Sequence, residues 1–344
     1  MKNELIRVGV VGLGHLGQHH VRIYCQLSGS DITDKNQPIL KKLTKKSSKL
    51  KTPLCQLTSV FDVDSEKTKK FADNYNIKGC ENFNEILDEV DAVSISTPTV
   101  NHYEIAKEFL SRGISVLIEK PITKTVDQAD ELIELAKSNE ALIQVGHVER
   151  FNPVVVAAGE FIENPKFIET HRLSSFPERS IDIDVILDLM IHDIDLIISF
   201  VKSRVKNIYS VGVPVLTDKI DIANARLEFE SGCVANVTAS RVSLKAMRKM
   251  RLFQTDRYIS MDYLKGEALC VDKKGEYNPE KKLDLSKLLS AKLLTPKKHE
   301  PLFEELKSFV QCVTSKDKPV VSGEEGRNAL DVAYKILDSI NKLQ

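Results

Sequence analysis

Apolar and polar positions along this chain follow two rhythms, and the change falls near residue 146. Before it, short apolar runs alternate with stretches whose apolar positions recur three and four residues apart, the mark of strand followed by helix. The runs at 5–11, 57–61, 92–96 and 114–118 read as buried strands, with a short strand near 77–80. Helices are predicted at about 15–27, 65–75, 83–89, 101–112 (closed by Gly113) and 125–138, and a strand at 142–145 completes the series. After Gly146 comes a polar turn at 147–153, a helix at 154–163 and a strand at 167–173. A long apolar helix spans 185–201. Strict alternation then predicts strands at 205–213, 222–230, 234–242 and 250–254, with shorter ones at 257–262 and 268–271. Consecutive strands joined by short turns imply an antiparallel sheet. The charged stretch 278–298 reads as irregular, and helices at 301–314 and 324–342 close the chain.

The first strand runs directly into Gly12-Leu13-Gly14-His15-Leu16-Gly17, a G-x-G-x-x-G placed between a buried strand and a helix. In that context Gly12 permits the tight turn, Gly14 lets a pyrophosphate approach the backbone, and Gly17 allows close helix–strand packing. The N–H groups of the helix start, from His15 and Leu16 onward, are then donors to phosphate. The first 122 residues therefore read as a doubly wound parallel sheet, a Rossmann domain binding a dinucleotide, and residues 123–344 as an α+β domain with an open, mainly antiparallel sheet. An acid ending the second strand hydrogen-bonds the adenosine ribose and repels a 2′-phosphate, which makes Asp62 the candidate and NAD the cofactor. The usual spacing is about 20 residues, and here it is about 45. The excess is the polar stretch 29–53, which holds Lys41, Lys42, Lys45, Lys46, Lys49 and Lys51 without an intervening acid. It reads as a surface insertion that leaves the strand order intact. Ligands of such sheets bind beyond the C-terminal strand ends, which here carry Thr97, Pro98 and nearby His102, and then Glu119, Lys120 and Pro121.

Composition narrows the function classes. The 344 residues suffice for two domains. Lys plus Arg equals Asp plus Glu at 49 each, so no global field favours nucleic acid or an anionic membrane. The six cysteines are scattered with no C-x-x-C pair and no metal-ligand spacing, as expected of reduced core thiols in a cytoplasmic protein. No apolar run is long enough for a membrane span. In the helix 185–201, Asp188, His192 and Asp195 recur at i, i+4 and i+7, within about 60° on a regular helix. An imidazole beside a carboxylate suits proton transfer near neutral pH. A hydrated helix edge is the alternative, and for Asp195 a structural partner is the expected role.

The motifs G-L-G-H-L-G at 12–17, E-K-P at 119–121, G-H-V-E-R-F-N-P at 146–153, D-L-M-I-H-D-I-D at 188–195 and V-S-G-E-E-G-R-N-A-L-D-V-A at 321–333 together resemble the Gfo/Idh/MocA oxidoreductases over nearly the whole chain. The resemblance implies that Lys120, Asp188 and His192 form the catalytic group. H-R-L-S-S-F at 171–176, V-P-V-L-T-D-K-I-D-I-A-N-A-R-L-E-F at 213–229 and T-A-S-R-V-S-L-K at 238–245 resemble one branch of that family. That branch implies NAD-dependent oxidation of the 3-hydroxyl of UDP-N-acetylglucosamine to the 3-keto sugar in lipid A precursor synthesis, with a PLP-dependent aminotransferase acting next. The insertion at 29–53 is the departure from the family pattern. For a UDP-sugar, Arg150, Arg172, Arg179 and Arg241 are candidate phosphate donors, because the guanidinium fork suits phosphate, and each reads equally as a surface charge, so about half are expected to reach ligand; Asn152 joins them as a substrate contact. His147 and His102 are expected to tune loops, and His15, His19 and His20 to lie at the surface. A polyol dehydrogenase, a redox-neutral enzyme recycling its NAD, and an NAD-sensing regulator are the rival readings. The exposed face of the second sheet predicts a homodimer or homotetramer.

Overall fold

The computed structural model describes residues 5–30, 52–176, 183–280 and 282–342. Most of the lysine-rich insertion, and Arg179, lie outside the described residues. The chain divides into two compact units, Met1–His147 with Leu302–Arg327, and Val148–Pro301 with Asn328–Gln344.

The first unit is built on β1 (Ile6–Val11), α1 (Gly17–Leu27), β2 (Cys55–Phe61), α2 (Ser65–Tyr75), β3 (Lys78–Gly79) and β4 (Ala92–Ile95). It continues with α3 (His102–Leu110), β5 (Ser115–Glu119), α4 (Val126–Ser138) and β6 (Ile143–Gly146). The strands form one parallel sheet in the order β3-β2-β1-β4-β5-β6. The order reverses between β1 and β4, which opens a crevice for ligand at their C-terminal ends. Val8, Val10, Ala92, Val116, Leu117 and Ile118 are fully buried, as two-sided burial of a parallel sheet demands. The insertion does leave the strand order intact. Leu54 N donates to Leu27 O at 2.9 Å, so the chain re-enters where it left and β2 pairs beside β1 as usual. Asp64 caps α2, and Thr125 with Gln128 forms a capping box on α4. The helix expected at 83–89 is a 3₁₀ turn, Phe83–Ile86, after which i to i+3 bonds continue from Leu87 N to Asn84 O and from Glu89 N to Ile86 O.

This unit extends past the boundary expected at 122, for two reasons. β6 pairs with β5, and α7 (Pro301–Ser315; α5 and α6 are given below) packs Leu306, Phe309, Val310 and Val313 against Val21, Tyr24 and Leu57.

In the second unit come α5 (Pro153–Gly159), β7 (Phe167–Leu173) and a helix that begins as a π turn, Ile186–Met190, before continuing as α6 (Ile191–Val201). The strands β8 (Val205–Val213), β9 (Ile222–Phe229), β10 (Val234–Ser240), β11 (Met247–Phe253), β12 (Arg257–Asp262), β13 (Glu267–Lys273) and β14 (Leu289–Leu294) follow. Their sheet runs β14-β13-β12-β11-β7-β10-β9-β8. Only the pair of β7 with β10 is parallel. The expected irregular stretch 278–298 thus hides β14, whose Leu289, Ala291 and Leu293 are exposed while Leu294 alone is buried, so no alternation betrays it. One sheet face packs Ala225, Leu227, Ala235, Val237, Met250 and Ile259 against Ile186, Met190, Ile194 and Ile197, and against Ala333 and Ile336 of α8 (Gly323–Asn341). The other face leaves Tyr209, Val211 and Val213 of β8 exposed. Among the described residues no helix is long and apolar enough to cross a membrane.

Candidate active site

In the first unit, the groups singled out from the sequence collect at the C-terminal ends of β1, β2, β4 and β5. Gly12 leaves β1 at φ 92°, where a Cβ would lie 2.8 Å from the Ser96 carbonyl. Gly17 opens α1, and a Cβ there would lie 1.8 Å from Gly12 O. The chain's own backbone therefore demands both glycines. Gly14 differs, since a Cβ there would meet nothing within 4 Å, and Gly14, His15 and Leu16 are all exposed. No side chain caps the start of α1 at Leu16, as none caps α3 or the helix beginning at Ile191, while Asp64, Thr125 and Asn152 cap Ser65–Tyr75, Val126–Ser138 and Pro153–Gly159. Outward N–H groups and the positive helix end suit a diphosphate, and a glycine that the protein itself does not need is the space such a ligand would fill.

Asp62 completes this cradle in spite of its unusual spacing. Its Oδ2 accepts the Leu13 N–H at 2.6 Å and its Oδ1 accepts the Asp64 N–H at 2.9 Å, which ties the acid to the glycine turn. A cavity of about 700 Å³ beside it is lined by Phe61, Asp62, Ser65, Thr68, Lys69 and Glu81, room enough for the adenosine end of a dinucleotide. Beyond β4, the Oγ1 of Thr97 is buried with no hydrogen-bond partner among the described residues, and Pro98 is exposed. His102 Nδ1 lies 2.9 Å from Pro121 O and its Nε2 2.8 Å from Thr97 O. Burial pushes this imidazole below its usual range, against the pull of the two carbonyls. It clasps the two loops to each other, the loop role expected of it.

Beyond β5, Glu119 is buried and Lys120 half-buried. His20 correctly falls on α1 but not at the surface. Its ring is fully buried, with Nε2 3.1 Å from Glu119 Oε1 and Nδ1 2.6 Å from Ser94 Oγ. Burial works to raise the Glu119 carboxyl, but the His20 hydrogen bond and charge, with Lys120 and His102, outweigh it and hold Glu119 below the ordinary carboxylate range. The signal for His20 was periodicity, since positions 20, 24 and 27 share one helix face with the fully buried Tyr24 and Leu27.

In the second unit, the three-residue stripe divides. Asp188 lies inside the π turn and His192 one residue past the start of α6, both half-buried. The π turn closes i to i+5, so the 100° spacing assumed from sequence does not hold there. Asp195 is buried, and its two oxygens receive Arg150 Nε at 2.6 Å and Nη2 at 2.9 Å. That is the structural role expected for Asp195.

Of the substrate-binding candidates, Arg150, Arg172, Arg241 and Asn152 each have polar partners inside the second unit, and Arg179 lies outside the described residues. Arg172 is buried on β7, with Nε and Nη2 each 2.9 Å from Asp193 and Nη1 2.9 Å from Glu149. Burial disfavours its charge, yet Asp193 and Glu149 overcome that and raise it above the usual range. Burial pushes Asp193 up. It acts on Glu149 too, but Arg172 holds that carboxyl low. Asn152 Nδ2 donates to Glu149 at 2.9 Å while its Oδ1 caps α5. Arg241 is fully buried, donating from Nε to Asp221 at 2.8 Å, from Nη1 to Ile183 O at 2.6 Å and from Nη2 to Thr217 at 3.1 Å. Each fork is occupied by a carboxylate inside the unit, because a guanidinium removed from water must be paired there. Their acidic partners Glu149, Asp193 and Asp221 were not singled out from sequence. Buried acids on alternating or helical patterns look like any exposed charge until their partners are known.

The comparisons with known proteins agree with this layout. Residues 6–147 match the oxidoreductase family with an NAD-binding Rossmann fold, and residues 167–259 match the GFO/IDH/MocA C-terminal domain. The chain is 31% identical over 338 residues to the UDP-N-acetylglucosamine 3-dehydrogenase of Acidithiobacillus ferrooxidans, covering 96% of each chain. A solved structure of that enzyme superposes with a TM-score of 0.85 at 30% identity, covering 98% of both chains. The myo-inositol 2-dehydrogenase of Thermotoga maritima is 23% identical over 98% of this chain and 97% of its own. A levoglucosan dehydrogenase solved with NADH and levoglucosan shares the fold, with a TM-score of 0.81 at 16% identity. The glycine cradle with Asp62 and the matching domains lead to one conclusion: the chain belongs to the Gfo/Idh/MocA oxidoreductases and is an NAD-dependent dehydrogenase.

Proposed function

We propose that this dehydrogenase oxidises the 3-hydroxyl of UDP-N-acetylglucosamine to a ketone. One observation carries the reading: 31% identity over 96% of both chains to an enzyme named for that reaction, against 23% to the myo-inositol enzyme. Bound NAD supplies the oxidant that takes two electrons and one hydrogen from the sugar carbon. His192 receives the hydroxyl proton, a task suited to an imidazole near neutral pH. Asp188 orients that imidazole. Lys120 donates a hydrogen bond to the sugar oxygen as negative charge develops on it. The roles of Lys120, Asp188 and His192 rest on the motifs E-K-P and D-x-x-x-H.

The 3-keto product is a carbonyl compound suited to transamination, so a PLP-dependent aminotransferase is the partner we assign, within lipid A precursor synthesis. All six cysteines are buried and none is in a disulfide, which fits the reducing cytoplasm where we place the enzyme. Its self-association surface is the sheet face bearing Tyr209, Val211 and Val213. The test is NADH formation from NAD with UDP-N-acetylglucosamine, with the aminotransferase and glutamate added to pull the equilibrium. Turnover of inositol or free glucose in place of the nucleotide sugar would move the assignment to a polyol dehydrogenase. No turnover of any sugar, with NAD still bound, would favour a regulator.

A further inference from the structure

His20 is a buried titratable group that the reaction above does not use, and its place in the fold is specific. It sits on the first turn of α1, directly behind the glycine turn, and reaches across β4 to the end of β5. Its Nε2 lies 3.1 Å from Glu119 Oε1, an atom that can only accept from it when ionised, so Nε2 carries the proton. Its Nδ1 lies 2.6 Å from Ser94 Oγ and 3.4 Å from Ser96 Oγ, hydroxyls able to donate or accept. The other oxygen of Glu119, Oε2, accepts the backbone N–H of Lys120 at 3.3 Å. The carboxylate is walled on the far side by β6, where a Cβ on Gly146 would lie 2.9 Å from Oε2. One imidazole thus joins the helix that opens the phosphate cradle to the peptide from which Lys120 projects.

We propose that His20 is a positioning residue for Lys120, acting through Glu119 and linking cofactor binding on α1 to the placement of the ammonium. The pair faces a defined set of charges: Lys120 from the same loop, His102 from α3, and behind Ser94 the Tyr24 hydroxyl of α1 with Glu305 of α7. A carboxylate so enclosed stays ionised while His20 supports it. Protonating Glu119 would remove its charge and weaken it as the acceptor for the Lys120 peptide N–H. The proposal rests on Lys120 serving the reaction, so it is tested first where no turnover is needed.

In the cofactor-free protein, imidazole ¹⁵N shifts should show His20 protonated at Nε2, and Glu119→Gln should perturb that resonance. In the enzyme, His20→Gln keeps a donor toward Glu119, and His20→Leu removes it. The expected result is that His20→Gln retains kcat within about threefold, whereas His20→Leu loses at least tenfold in kcat. KM for the sugar should hold within about twofold, and the acid limb of the kcat profile should move toward neutral pH. NADH affinity should fall in His20→Leu more than in His20→Gln. Should His20→Leu fail to fold, Glu119→Gln is the near-isosteric second variant, and its acid limb should be displaced. Equal behaviour of the two His20 variants, or a wild-type pH profile in Glu119→Gln, overturns the proposal. If instead Lys120→Met turns over like the wild type, the role of Lys120 fails; the ¹⁵N and NADH-binding results then still decide whether His20 and Glu119 link the helix to the loop.

Discussion

Replacing Gly14 by alanine separates what a ligand demands of the glycine turn from what the protein demands. A Cβ at Gly14 meets nothing within 4 Å, so the fold should tolerate it, and stability should hold or rise by about 0.5 kcal/mol through a stiffer unfolded chain. A Cβ at Gly17 would lie 1.8 Å from Gly12 O, a backbone atom with nowhere to go. Overpacking of this kind costs about 3 kcal/mol, or roughly 6–12 °C in Tm for a unit of this size. For NADH the order reverses. The Gly14 methyl projects where the pyrophosphate must approach, and losing two charge-assisted hydrogen bonds at about 1.5 kcal/mol each weakens binding by roughly a hundredfold. Thermal melting and NADH fluorescence titration on the two variants read both quantities. Gly14→Ala binding NADH like the wild type, or melting as low as Gly17→Ala, would refute the reasoning.

Further expectations follow from the same geometry. Lys120→Met and His192→Asn should each lower kcat by about 10² to 10⁴ while NADH affinity stays within threefold, and unchanged kcat in either removes that residue from the reaction. Asp221 accepts N–H groups from Val215, Leu216 and Thr217 and a fork nitrogen from Arg241. Burial would raise its carboxyl, but those bonds hold it well below the usual range. Its stabilisation is therefore full above the unfolded pKa, near 3.8, and is lost as pH falls below that. Asp221→Asn should be much less stable at pH 7, with the gap to wild type narrowing below pH ~4; a gap constant with pH would contradict this. Arg172→Leu should destabilise by about 3–5 kcal/mol, because Asp193 and Glu149 then remain buried without their cation, and a change under 1 kcal/mol would mean that they rearrange at no cost. Val211→Glu on the exposed sheet face should shift light scattering from a multiple of 38.6 kDa toward one chain's mass. A wild-type protein already at 38.6 kDa would remove that surface from the account.

Much of the fold was legible because its periodicities are strong. β7 and β8 lie where alternation puts them, and the G-x-G-x-x-G turn sits between the strand and helix that give it meaning. What escaped had no local signature. β14 exposes all but one of its apolar residues, and the π turn at Ile186–Met190 has the same apolar content as the α-helix it replaces. Arg150, Arg172 and Arg241 show a related limit. A fork suited to phosphate is equally suited to a carboxylate, and sequence does not reveal that Asp193, Glu149, Asp195 and Asp221 lie within reach. The cofactor side was easier because its chemistry is borne by backbone and glycine, which leave a pattern in sequence. His20 and Glu119 needed the third dimension.

The central claim is that hydrogen leaves C3 of the nucleotide sugar for bound NAD. It is tested most directly with UDP-N-acetylglucosamine deuterated at C3, incubated with the protein and NAD under coupling to the aminotransferase. The account predicts that the reduced cofactor carries the deuterium. Unlabelled NADH, or turnover of inositol or free glucose with none of the nucleotide sugar, would contradict it.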